Sequence, residues 1–185
     1  MSILKVARLG HPVLRAKARP LDKAEIRGAV VQKLIEDMME TMHEYHGVGL
    51  AAPQIHESVR LFVAALDQRP ASDAEDRPDE DDPEPIAIIN PEITVVGTDV
   101  VEDWEGCLSI PDLRGRVPRW RKLRVDALDR KGNTIQITAE GFFARVIQHE
   151  FDHLMGKVYL DRMRDFSTLS HLAEFQRFWL PQEDE

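Results

Sequence analysis

The most informative stretch of this chain is residues 149–153, which begins and ends with a histidine. In an α-helix, positions i and i+4 lie on the same face, so His149 and His153 can bind one metal ion. Glu150 points away from this pair but lies near enough to take a proton from a metal-bound water. The stretch therefore predicts a hydrolytic metal site.

Two histidines leave such a site incomplete, because catalytic zinc-type centres use three protein ligands and one water. The peptidase pattern H-E-x-x-H-x-x-G-x-x-H has Gly156 in frame here, but Tyr159 occupies the position of its third histidine. Another peptidase class takes a glutamate roughly twenty residues downstream, where Glu174 lies, but the expected partner motif around it is missing. A zinc peptidase is therefore only weakly supported.

Cys107, the only cysteine of the chain, is the better candidate for the third ligand. By itself a lone cysteine is more often a small buried apolar residue, and it cannot form an internal disulfide. Its neighbours favour a site, because Gly106 permits a close backbone approach. Glu105 and Ser109, on either side of Cys107 and Leu108, indicate a site loop and not a core strand.

Three blocks of the sequence together resemble peptide deformylase: GVGLAAPQ at 47–54, EGCLS at 105–109 and QHEFDHL at 148–154. Residues 10–15 also resemble the opening segment of that family, so the similarity extends from about residue 3 to about residue 163. The family removes the formyl group from the initiator methionine of new bacterial and organellar proteins. The resemblance thus implies a metal-dependent hydrolase of protein biosynthesis, which releases formate.

The resemblance also implies roles for individual residues. Cys107 and the two histidines would bind one divalent ion, iron(II) in typical members, although zinc, nickel or cobalt can occupy the same ligands. The ion would lower the pKa of bound water, and Glu150 would take the proton and deliver it to the leaving amine. The Gln54 amide and the Leu108 backbone N–H would stabilise the oxyanion.

Substrate binding is predicted at the first block and near the metal helix. Gly47 and Gly49 leave backbone uncovered for pairing with an extended peptide, and the resemblance assigns Gly49 to the peptide backbone. For Phe142 and Val146, packing in the core is as good an explanation as lining the pocket for the methionine side chain. Arg114 matches a family arginine near the site mouth, with a solvated surface arginine as the alternative. The predicted pocket for the methionine side chain is lined by Val48, Phe142, Val146 and His149.

Apolar spacing predicts the elements that position these residues. Helices are expected at 23–45, at 139–154 with Gly156 as the stop, and at 165–179. Strands are expected at 59–66, 86–89, 93–96 and 100–103, followed by a hairpin with strands at 123–127 and 135–137. Packing the metal-binding helix on these strands gives an α+β fold, with mostly antiparallel sheets around that central helix.

Composition favours one catalytic domain over residues 1–185, since 185 residues at 43% hydrophobic can bury a substantial core. The net charge is −9, but residues 73–84 hold eight acidic side chains and one arginine, which leaves −2 for the rest. The Pro-rich stretch at about 68–85 is therefore predicted to be an exposed or disordered loop. The docking of the segment at about 165–185 does not follow from the sequence.

The resemblance implies N-formylmethionyl nascent peptides as substrates and a transient ribosome contact, without direct nucleic-acid binding. The absence of a long apolar run predicts no membrane span, and a lone thiolate ligand suits a reducing, bacterial-type cytoplasm. Two alternatives remain open. An H-E-x-x-H metallopeptidase would leave blocks 47–54 and 105–109 unexplained. An inactive deformylase-like ribosome-binding protein is not favoured, because neither a ligand nor Glu150 is lost.

Overall fold

The structure, a computed structural model that describes residues 2–65 and 84–180, contains two antiparallel sheets. The described strands are β1 Gly49–Ala51, β2 Leu61–Ala65, β3 Pro85–Val95, β4 Val100–Cys107, β5 Ile110–Trp120, β6 Lys122–Leu128, β7 Thr134–Glu140 and β8 Ser170–His171. The first sheet has the order β1-β2-β3-β6-β7, and the second has the order β4-β5-β8. All of these strand pairs are antiparallel, which confirms the predicted fold class.

The described part of the chain has four α-helices: α1 Lys23–Arg27, α2 Ala29–Glu44, α3 Phe142–Leu154 and α4 Leu172–Phe178. Short 3-10 turns lie at Pro12–Arg15, Ala52–Ile55, Tyr159–Arg162 and Phe166–Thr168. Among these residues, no helix has the length and apolar content needed to span a bilayer.

The first sheet is covered by a helix on each face, because successive side chains of a strand point to opposite sides. On one face, Leu61 and Val63 of β2 pack with α2. On the other face, Phe62 of β2 packs with Ile147 and Leu154 of α3. Helix α3 also contacts β5 of the second sheet. Helix α3 therefore lies between the two sheets, where residues from both can reach it.

Helix α3 begins at Phe142, three residues later than predicted, because Ala139 and Glu140 pair with β6 in the ladder of β7. Gly141, with φ 62°, makes the turn from strand to helix. The predicted stop is confirmed, since Gly156 follows the helix with φ 72°, a left-handed conformation that favours glycine. Ile147 and Leu154 are buried as expected, whereas the Phe142 side chain is exposed.

Two predicted boundaries near the N-terminal half are wrong. The helix expected at 23–45 is broken at Gly28, whose extended backbone ends α1 and begins α2. The strands expected at 86–89 and 93–96 are one strand, β3, in which a register shift lies between Ile89 and Glu92. Asn90, with φ 50°, sits at this irregularity, and its side-chain amide bonds both the N–H and the C=O of Leu21.

The second sheet differs most from prediction. Cys107 is the last residue of β4, where it pairs with Ile110, so the interpretation of its block as a loop was wrong. Strand β5 was not predicted. The helix expected at 165–179 was also wrong, because β8 pairs with β5 and only α4 is helical. Asp165 does cap a turn, accepting from the Ser167 N–H at 2.8 Å. The segment at about 165–185 is described as far as residue 180, and the predicted acidic loop lies almost wholly outside the described residues.

Candidate metal centre

Cys107, His149 and His153 are brought together by elements far apart in sequence. One potential ligand atom from each lies within 4.8 Å of the other two. The two histidines come from one face of α3, and the cysteine comes from the end of β4. His153 is fully buried, and its Nε2 lies 3.3 Å from the Cys107 sulfur.

This arrangement fits a metal ion. Metal–sulfur and metal–nitrogen bonds of about 2.3 and 2.0–2.1 Å at a tetrahedral angle give a sulfur–nitrogen distance of roughly 3.5 Å. The 3.3 Å between Cys107 and His153 is close to that value. Burial acts to raise the pKa of the Cys107 thiol, but the charges and hydrogen bonds of His153 and His149 hold it well below its usual value. The sulfur is therefore poised as a thiolate, the form that binds metal.

Glu105 fixes the orientation of His149. Its carboxylate lies 2.9 Å from His149 Nδ1, which leaves Nε2 of the ring free to face a metal. Burial acts to raise the pKa of Glu105, but hydrogen bonds from His149 and Arg119 and the charge of Arg119 hold it well below its usual value. Glu105 therefore remains a carboxylate, as expected of a group that orients a metal-binding histidine.

Two buried arginines hold Glu105 in place. Arg119 forms a bidentate pair with it at 2.9 and 3.0 Å, and Arg145 contacts it at 2.8 Å. Arg119 also reaches Asp152 at 2.6 Å, and Asp152 accepts further hydrogen bonds from Arg162. This network connects β4, β5, α3 and the turn that follows α3. It makes the position of His149 depend on the packing of the second sheet against the helix.

Sequence reasoning missed the functions of these network residues. A signal was available for Arg145, which precedes His149 by four residues and so shares its helix face. Asp152 lies inside the motif itself, where a carboxylate buried between two ligand positions requires a cation partner. No local signal identified Arg119, because its strand, β5, was not predicted.

Glu150 lies next to the ligands and is almost wholly buried. Its Oε2 has no hydrogen-bond partner among the described residues, and burial raises the pKa of the carboxyl. Gly49 of β1 lies directly against this side chain, since a Cβ added to Gly49 would come within 2.5 Å of Glu150 Oε1. The glycine therefore makes the space that the carboxyl group occupies.

Gln54 reaches the site from the 3-10 turn after β1. Its Oε1 accepts a hydrogen bond from the Ala51 N–H at 2.8 Å, which fixes the amide orientation. Its Nε2 then donates to Ser109 Oγ at 3.2 Å and lies 3.6 Å from the Cys107 sulfur. Leu108 is the first residue of the two-residue turn between Cys107 and Ile110, so its N–H lies outside the strand ladder.

A cavity of about 500 Å³ opens beside these residues. Phe142 and Val146 both line it, and the exposure of Phe142 excludes an ordinary core position for that ring. Arg114 also lines the cavity and lies over Gly106, where an added Cβ would come 2.5 Å from the guanidinium carbon. All the predicted substrate-binding residues line this cavity: Gly47, Val48, Gly49, Arg114, Phe142 and Val146.

Comparisons with known proteins agree with this geometry. The model of the polypeptide deformylase family matches residues 3–168. A curated relative, peptide deformylase 2 of Nostoc sp. strain PCC 7120, is 42% identical over 172 residues, which cover 93% of this chain and 91% of the relative.

Solved structures show the same similarity. A class I type b peptide deformylase from Acinetobacter baumannii bound to Met-Ala-Ser has a TM-score of 0.77 and 36% identity, covering 88% of this chain and 100% of that one. The peptide deformylase from Thermotoga maritima has a TM-score of 0.76 and 36% identity, covering 89% and 100% of the two chains. The residues matched by the family model include strands β1 to β7 and helix α3.

Proposed function

We propose residue roles, a metal and a substrate-binding mode because this chain belongs to the polypeptide deformylase family. Members of the family are metal-dependent hydrolases that remove the N-formyl group from newly made polypeptides, and this is the activity of the chain. The single observation that carries the residue roles is the meeting of three potential ligand atoms within 4.8 Å of one another, with Cys107 and His149 lining the pocket. Neither a metallopeptidase nor an inactive relative is favoured by these findings.

Cys107, His149 and His153 would hold the metal, which we propose to be iron(II). A bound ion supplies Lewis acidity that lowers the pKa of coordinated water. One thiolate and two imidazoles suit iron, zinc, nickel and cobalt, so the ligand types alone do not select iron. The proposal of iron rests on the family resemblance.

Glu150 would accept the proton of the attacking water at Oε2 and deliver it to the leaving amine. The free Oε2 supports this role, because no protein group has to be displaced before a proton is taken. Burial raises the pKa of this carboxyl toward the working pH, where a group that both takes and returns a proton is most effective.

Gln54 and Leu108 would stabilise the oxyanion that forms on the formyl oxygen. The Gln54 amide is held by Ala51 and Ser109, so its Nε2 is positioned near the Cys107 sulfur before substrate arrives. The Leu108 N–H lies in the adjacent turn and has no strand partner. Donors that are already in place need no reorganisation as the charge develops.

The peptide would bind as an added strand at the edge of the first sheet. Strand β1 is the outer strand of that sheet and pairs with β2 on one side. Gly47, Val48 and Gly49 line the cavity beside this edge, and Phe142 and Val146 would contact the methionine side chain. Backbone pairing would supply affinity, and the pocket would supply specificity for methionine.

The proposed metal is tested by anaerobic removal of the ion, followed by reloading with iron(II), nickel, cobalt or zinc. Formate release from formyl-Met-Ala-Ser is measured before and after exposure to air. We expect the iron form to be faster than the zinc form and to lose activity in air, because iron(II) and a thiolate are both oxidisable. A zinc form that equals the iron form, with both stable in air, would assign zinc as the native metal.

The ligand set is tested separately by metal analysis. Cys107→Ala should lose stoichiometric metal, because a site reduced to two histidines holds its ion poorly. His43→Ala is the matched control, since His43 lies in the last turn of α2 and outside the candidate centre. Equal metal content in the wild type and Cys107→Ala would remove the cysteine from the site.

We also propose that the protein works in a bacterial-type cytoplasm and contacts the ribosome transiently. A reducing compartment keeps a cysteine ligand in its reduced, thiolate form. Nascent peptides are presented as they leave the ribosome, so an enzyme that acts on them gains from transient contact.

A further inference from the structure

Two residues that line the pocket have no role in the proposed mechanism. Trp104 lies on β4, three residues before Cys107, and Leu172 is the first residue of α4. Both side chains are partly exposed, so neither is fully buried in the core. They add apolar surface to the pocket that Cys107, His149 and Glu150 also line.

Helix α4 is docked on Trp104 through one face. Leu172, Phe175 and Trp179 are spaced i, i+3 and i+7, so they lie along the same side of the helix. The Trp104 ring lies 4.8 Å from the Phe175 ring and 5.2 Å from the Trp179 ring, measured between centroids. Aromatic pairs at such separations are attractive, which holds the helix against the strand.

The start of α4 is also held by backbone pairing. Strand β8 immediately precedes the helix and pairs with β5, with Ser170 opposite Arg114. Leu172 therefore lies two residues after Ser170, whose partner Arg114 itself lines the cavity. The position of Leu172 at the pocket is thus determined on both sides, by the sheet before it and by Trp104 behind it.

Trp104 and Leu172 form an apolar wall of the pocket, and the location of this wall matches the downstream part of a substrate. Trp104 lies three positions before Cys107 on β4, a distance of about 10 Å at 3.3 Å per residue. An extended peptide with its formyl carbon at the metal reaches that distance at its second and third residues. The cavity of about 500 Å³ has the size of pockets that bury drug-sized ligands, which exceeds the volume of one methionine side chain.

From these observations we propose that Trp104 and Leu172, held by α4, contact the second or third side chain of the formyl peptide and favour apolar residues there. The proposal rests on the proposed deformylase function and names a substrate class for it. A competing source of selectivity is present in the same pocket, where Arg8, Asp112 and Arg114 would favour charged residues. The two possibilities predict opposite preferences.

The test measures kcat/KM for formate release from two peptide series. In one, Leu, Asp or Lys replaces the second residue of formyl-Met-Ala-Ser, and in the other they replace the third. We expect the wild type to prefer Leu over both charged residues by about fivefold or more at one of these positions, the order of effect for partial burial of an apolar side chain. Trp104→Ala and Leu172→Ala should each reduce that ratio by about threefold or more. A variant that loses activity equally on all of these peptides keeps the same ratio of kcat/KM values, so the ratio reports selectivity alone.

Phe178→Ala is the matched control. Phe178 lies on the same helix and is 64% exposed, but it does not line the pocket. This variant should keep the wild-type ratio. Trp104→Phe should retain more of the ratio than Trp104→Ala, because a smaller ring still contacts the substrate.

The outcomes separate the two proposals. A wild type that releases no formate from formyl-Met-Ala-Ser contradicts the proposed function. An active wild type without a preference for Leu, or with a preference for Asp or Lys, overturns the role of the apolar wall. The same conclusion follows if the Leu preference persists unchanged in both Trp104→Ala and Leu172→Ala.

Discussion

Gly49→Ala tests whether the position of Glu150 limits the reaction, because this change moves the carboxyl group without altering a ligand. A Cβ on Gly49 would lie 2.5 Å from Glu150 Oε1, 2.8 Å from Cδ and 2.9 Å from Cγ. Gly49 does not have a positive φ, so alanine can adopt its backbone conformation without strain. The three nearest atoms that the added methyl group would meet therefore all belong to Glu150.

The size of the displacement follows from these distances. Ordinary contacts of a Cβ begin near 3.4 Å, so the carboxyl oxygen has to move by roughly 1 Å. Glu150 is 3% exposed, which leaves little room for the movement to be absorbed elsewhere. A misplacement of about 1 Å at a reacting group costs on the order of 100-fold in rate. We therefore expect kcat to fall by roughly that factor while the protein keeps its metal.

The assay combines formate release, metal analysis and thermal unfolding. The matched control is Gly47→Ala, whose Cβ would meet the flexible end of Leu108 at 3.2 Å and should lower kcat by less than about tenfold. A loss of peptide pairing alone would raise KM and leave kcat in place, so the two constants separate the causes. The reasoning is refuted if Gly49→Ala keeps more than half of the wild-type kcat.

Three further predictions follow from buried polar groups. Glu150→Gln should keep the metal but lower kcat by roughly two to four orders of magnitude, and undiminished formate release would assign proton transfer to another group. Tyr159→Phe should raise Tm by about 2–4 °C, because the buried Tyr159 hydroxyl has no hydrogen-bond partner among the described residues and its removal is worth about 1 kcal/mol; a lower Tm would show that the hydroxyl is bonded. Burial acts to raise the pKa of Asp152, but hydrogen bonds from Arg162 and the charge of Arg119 lower it. The ionised Asp152 therefore stabilises the folded protein above the unfolded pKa of about 4, and this stabilisation is lost as the pH falls further. Arg162→Ala should therefore cost about 1 kcal/mol or less at pH 7, given the exposure of Arg162, and thermal unfolding should show the difference from the wild type shrinking below about pH 4; a gap that does not change with pH would exclude the ion pair as its cause.

Local patterns predicted the parts of the fold whose structure depends on neighbouring residues. The hairpin of β6 and β7 was confirmed, because alternating apolar residues and a turn segment specify it within a few residues. Boundaries failed where distant partners decided them. Ala139 pairs with Leu123 in the sheet although its spacing also suits α3, and Ser170 pairs with Arg114 although its neighbours have helical spacing.

For the site, the sequence by itself determined the pairing of His149 and His153, because helix periodicity alone places positions i and i+4 together. The neighbours of Cys107 and the motif resemblance predicted it as the third ligand, but only the tertiary structure brings its sulfur to 3.3 Å from His153 across 46 positions of sequence. The orientation of His149 by Glu105, and of Glu105 by Arg119, also depends on the second sheet packing against α3. These contacts join residues that are far apart in the sequence. Burial of the whole core brings such residues together, and no local backbone preference does so.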